Sequence, residues 1–132
     1  MGSVDAGGGI VGGLVNADRM ARISSVVRKV LESPSEGTCA TFEVVGKRDA
    51  WAQVMKGTLN AAYPLATPPE KSLHGVLACL PGSIVTAWEA RNFVTVAFES
   101  AMPGDVARAI DELFQGVLDA GDYSVDCRLE EM

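Results

Sequence analysis

Residue types able to do chemistry are sparse in this chain. The step Leu80-Pro81-Gly82-Ser83 sets a serine, directly after a tight turn, at the head of an apolar run. A serine so placed can attack the carbonyl that precedes it, form an ester and, after elimination, leave a pyruvoyl group, an electron sink that replaces a coenzyme. The step needs backbone strain, an oxyanion donor and a proton shuttle, and Pro-Gly-Ser is also an ordinary turn sequence. His74 is the single histidine, so any Ser-His-Asp, Cys-His or poly-histidine metal scheme has one candidate and no second. Cys39, Cys79 and Cys127 are odd in number and far apart, which fits buried reduced thiols rather than a disulfide framework, and no metal site is expected. Asp111 and Glu112 point to different parts of a helix surface and read as solvated charges. The stretch GGGIVGG lacks the Gly-Lys-Ser/Thr ending of a phosphate loop and the strand that precedes a dinucleotide fingerprint.

The elements that must carry these residues follow from periodicity. Residues 1–15 are glycine-rich and aperiodic, and read as a flexible arm before a single domain over 16–132. From Asn16 a helix is predicted, with Met20, Ile23, Val27, Val30 and Leu31 on one face and Arg19, Arg22, Arg28 and Lys29 off it; Pro34 and Gly37 end it. A strand follows over Thr38 to Val45. Asp49 is placed as the cap of a second helix with the stripe Trp51, Val54, Met55, Leu59 and Ala62. Leu73 to Leu80, Ser83 to Trp88 and Phe93 to Glu99 are predicted as an antiparallel meander. Pro103-Gly104-Asp105 opens the cleanest helix, through Val106, Ile110, Leu113, Phe114, Val117 and Leu118, with Gly121 as its C-cap. The alternating run Asp122 to Glu130 closes the sheet. The predicted order is α-β-α-β-β-β-α-β: an α+β fold with a mostly antiparallel sheet, two helices on one face and an N-terminal helix.

Composition bounds the partners. Residues 1–60 hold seven Lys/Arg against six Asp/Glu, and residues 61–132 hold four against eleven. Net −6 with an acidic second half is a poor match for nucleic acid, whose binding needs clustered positive charge. No apolar run approaches a membrane span. The start has no basic segment before its apolar residues, so a cytoplasmic protein is expected.

The stretch LPGSIVTAWEARNFVTVAF also resembles the cleavage region of the small prokaryotic S-adenosylmethionine decarboxylases, pyruvoyl enzymes on a βαβ-type sandwich. Leu80 and Ser83 match the family's Leu-x-x-Ser, Trp88 its tryptophan, and Arg91, Asn92 and Phe93 fall where Arg-Gly-Tyr falls. The alignment needs a deletion of two residues between Ser83 and Trp88, which preserves strand faces. Gly82 replaces the family's glutamate, Thr86 stands at the catalytic histidine, and Ser100 or Ala101 at the catalytic cysteine. The resemblance implies a scaffold that lost its chemistry or, alternatively, a decarboxylase whose pyruvoyl cofactor comes from Ser83.

The leading expectation is a non-catalytic module, with no cofactor, that forms a homo-oligomer or binds a protein partner. Phe93, Thr95 and Ala97 oppose Val94, Val96 and Phe98, giving a strand apolar on both sides whose second face needs a cover. That cover is either the first helix or a second copy. Arg19 and Arg22 are the residues expected to grip an acidic partner, including the acidic half of a neighbouring subunit. A small-ligand sensor with a pocket between helices and sheet is the third reading.

Overall fold

The computed structural model describes residues 7–131. Helix α1 (Gly7–Leu31) leads into strands β1 (Thr38–Val44), β2 (Lys47–Met55) and β3 (Thr58–Ala62). Short helices α2 (Pro69–Ser72) and α3 (His74–Cys79) follow, then β4 (Ile84–Glu89), β5 (Phe93–Ala97), α4 (Pro103–Glu112) with a π-helical continuation over Leu113–Val117, and β6 (Val125–Glu131). The strands form one antiparallel sheet in the order β4-β5-β3-β2-β1-β6. The α+β class and the antiparallel sheet are as the sequence predicts. Of the expected arm, residues 1–6 lie outside the described residues, and α1 begins at Gly7.

The internal order departs from expectation twice. Residues 47–62 form a hairpin, not a second helix. Val45-Gly46 and Lys56-Gly57 are two-residue turns, closed by the pairs Val44 with Lys47 and Met55 with Thr58. Gly46 and Gly57 have φ of +81° and +78°, a region glycine enters without steric cost. Between the turns the burial alternates, with Ala50, Ala52 and Val54 inward and Trp51, Gln53 and Met55 partly exposed. That period of two is the strand signal; the stripe Trp51, Val54, Met55, Leu59 fits a helical wheel only by running through Gly57.

Conversely, where a strand is predicted over Leu73 to Leu80 the chain forms helix α3 (His74–Cys79). Pro69 opens α2, where its missing N–H leaves nothing unpaired, and Leu73, Val76 and Leu80 recur at helical spacing and are buried. The meander therefore keeps only β4 and β5, paired antiparallel with a bulge at Thr86.

The helices share one face of the sheet. Ile23, Val27 and Val30 of α1, and Val106, Ile110, Leu113 and Phe114 of α4 and its continuation, join one core with Ala40, Phe42, Val44, Ala52, Val54, Leu59, Ala61, Val94 and Val96. Asp105 accepts a hydrogen bond from the Met102 N–H at 3.2 Å and so caps α4. The π-helical turn brings the Leu118 N–H to the Leu113 carbonyl at 3.0 Å, and Leu113, Phe114 and Leu118 are all buried around it.

Candidate functional site

On the side away from the helices, the pairing register sets side chains in rows across the strands. The middle row is polar. Arg128 lies opposite Thr41, Thr41 opposite Gln53, Gln53 opposite Asn60, and Asn60 opposite Thr95. Gln53 Nε2 donates to Thr41 Oγ1 at 3.4 Å, and the Thr95 hydroxyl donates to Asn60 Oδ1. Toward one end, Trp51 pairs with Glu43, and Phe93 lies between Ala62 and Glu89. Toward the other, Met55 lies opposite Thr58, Thr58 opposite Ala97, and Ala97 opposite Ile84. The strand expected to be apolar on both sides is therefore mixed behind: Phe93 and Ala97 are half-buried, and Thr95 between them belongs to the polar ladder. Nor is α1 the cover, because its buried face packs into the core on the other side.

The basic residues of α1 do not form one patch. Arg19 was expected at an interface, yet it is 5% exposed. Its Nη1 donates to Asp122 Oδ1 at 3.0 Å and to the Tyr123 carbonyl at 2.8 Å. Its Nη2 lies 3.5 Å from Asp111 Oδ1, and its guanidinium carbon 4.1 Å from the centre of the Tyr123 ring. The acidic half expected on a neighbouring subunit is supplied by the same chain, and the reason is desolvation: a guanidinium this deep needs carboxylates and carbonyls around it. Tyr123 completes the group, donating its hydroxyl to Asp111 Oδ1 at 2.8 Å and meeting Phe114 edge-on at 5.2 Å. Burial first, then Asp111, raises its phenol well above the ordinary tyrosine range, against the opposing pull of Arg19. Arg22 remains exposed, at the rim of a surface hollow of about 200 Å³ that it shares with Asp18, Tyr123 and Ser124.

Gly82-Ser83 is a turn between α3 and β4. Gly82 has φ +69°. The Ser83 N–H donates to the Leu80 carbonyl at 3.1 Å, and its Oγ donates to the Leu77 carbonyl at 3.2 Å. The hydroxyl is thus held against the end of α3. His74 is exposed at the start of α3, and Thr86, at the position of the resembled family's histidine, donates to the Thr95 carbonyl at 3.4 Å. Burial raises the thiols of Cys39, Cys79 and Cys127, with Glu130 and Glu112 adding to the first two and Arg22 opposing in the third; a raised thiol holds little of the nucleophilic thiolate at neutral pH. Among the described residues no group of three or more His, Cys, Asp or Glu could hold a metal ion.

Compared with known proteins, the chain matches no family model, no curated protein and no solved structure.

The open face was legible in part. Phe93, Thr95 and Ala97 do share it, as strand alternation requires. Trp51, Gln53 and Met55 share it too, which the helical period over 49–62 conceals; the two-residue glycine turns on either side are the signal.

Proposed function

We propose that this chain is a non-catalytic α+β module that binds another protein surface, in the simplest case a second copy, through the open face of its sheet. One observation carries the reading: six strands are covered by helices on one side, while the other presents Trp51, Phe93 and Met55 around a cross-strand polar ladder. Half-buried aromatics beside ordered polar side chains are the composition of a recognition surface. The Ser83 hydroxyl, donated to the Leu77 carbonyl at the end of α3, fits a structural turn. Among the described residues no helix is long and apolar enough to cross a membrane, and the cysteines are free, which suits a reducing cytoplasm.

Light scattering on the full chain tests the reading. The expected result is association at micromolar concentration that Phe93→Ser weakens by on the order of ten-fold, as loss of one aromatic anchor does. A monomer that binds nothing would sink it. Intact mass separates the inactive scaffold from the self-cleaving decarboxylase suggested by the resemblance: a single uncut 13.8 kDa chain is expected, whereas two fragments separated between Gly82 and Ser83 would reinstate Ser83 as the cofactor precursor.

A further inference from the structure

The two edges of the sheet differ in a way the open face does not explain. An edge strand presents unpaired backbone N–H and C=O groups, and proteins ordinarily blunt it with charge, proline, a bulge or a covering element. The β6 edge is blunted, since Asp126, Arg128, Glu130 and Glu131 place four charges in VDCRLEE. The β4 edge reads IVTAWE, without a charge until Glu89, and every residue but Val85 is exposed. Ile84 and Trp88 are 62% and 37% exposed, and Leu65, whose carbonyl accepts the Arg91 N–H just past the strand, is 37% exposed.

We propose that β4 pairs antiparallel with β4 of a second copy across a two-fold axis, extending the sheet through both chains. The bulge at Thr86 makes the strand self-complementary. Val85 lies opposite Val96 and Trp88 opposite Val94, so these two residues, three apart, share the helix side, while Ile84 and Ala87 share the open side. A two-fold between Thr86 and Ala87 then sets Val85 of one chain against Trp88 of the other on the helix side, and Ile84 against Glu89 on the open side. No charge meets its like in that register, and both apolar side chains on the helix side gain a cross-strand partner. Trp88 is already held edge-on by Tyr63 at 6.1 Å, so its ring is ordered before association. Helix α2 packs on β4, and a largely apolar hollow of about 440 Å³ at Thr67, Pro68 and Lys71 extends this side of the edge. The near absence of charge on β4 favours a second copy over a charged peptide, for which the strand offers no reading groups. A ladder of this length is smaller than the ~800 Å² per partner of a standard interface, so the dimer is concentration-dependent.

This surface is distinct from the open face, and the experiment separates the two. The full chain is followed by sedimentation and by amide hydrogen exchange from about 5 to about 500 µM, a range over which a weak dimer fills. Dimerisation is expected together with slowing of exchange on the order of ten-fold at residues 84–89, and no concentration dependence at β6. Ala87→Lys, an exposed position that the monomer does not need for packing, is expected to abolish the concentration-dependent protection at residues 84–89 without lowering Tm, while Phe93→Ser, which weakens only association through the open face, retains that protection. A dimer lost in Phe93→Ser but kept in Ala87→Lys, with β4 exchange unchanged by concentration, overturns the edge proposal and leaves the face reading standing. A chain that stays monomeric throughout overturns it as well.

Discussion

Arg19 is the residue whose surroundings decide most about its helix. It links α1 to Asp111 on α4 and to Asp122 and Tyr123 before β6, so removing it leaves carboxylates and a carbonyl turned toward an empty place. Breaking a buried ion pair from one side costs about 3 kcal/mol, and Arg19→Met is expected to lower unfolding stability by that order in urea titration. Asp122 is mostly exposed and retains water, which limits the loss. Tyr123 gives the same cluster a pH signature. Its folded phenol titrates above the unfolded one, so the folded state keeps a proton that the unfolded chain releases. Stability is then complete below the ordinary tyrosine range, near ~10, and falls as pH rises beyond it. Tyr123→Phe is expected to flatten that alkaline decline, measured by denaturation at a series of pH values; an unchanged slope would count against the phenol as its source.

Among the elements, the hairpin β2–β3 shows how local conformation sets the fold. Gly57 has φ +78°, and a Cβ there would come within 3.4 Å of the Phe98 carbonyl oxygen, whose own N–H donates to the Gly57 carbonyl at 3.0 Å. Gly57→Ala is expected to destabilise by ~1–2 kcal/mol, the cost of a left-handed L-residue, aggravated by that contact. Gly116→Ala provides the contrast: it has no positive φ and open space around it, so its Tm is expected to stay level or rise slightly. The same turn separates the hairpin from the helix that the periodicity over 49–62 predicts. Apolar residues at 51, 54, 55, 59 and 62 follow a helical period, but in the hairpin Trp51 and Met55 take the open face and Val54 and Leu59 the helix face, and the glycine at the turn position is what marks the difference.

For the whole molecule, placing every helix on one face makes the other face and the two edges the surfaces that matter. β1 sits between β2 and β6, its pairing with β6 joining the last strand to one of the first. That long-range closure places the acidic second half beside α1 and hides Arg19 among its own chain's carboxylates. The sequence by itself determined the α+β class, the helix from Pro103, the alternating last strand and the sharing of one face by Phe93, Thr95 and Ala97, because these depend on periodicity and turn chemistry within short windows. Only the tertiary structure decided that Arg19 is buried, that Ser83 is held against α3, that a polar ladder runs across the open face, and that the nearly uncharged β4 and the charged β6 are the two edges. The physical reason is that burial, ion pairing and edge position are set by which strands become neighbours, and neighbours far apart in sequence leave no local trace in it.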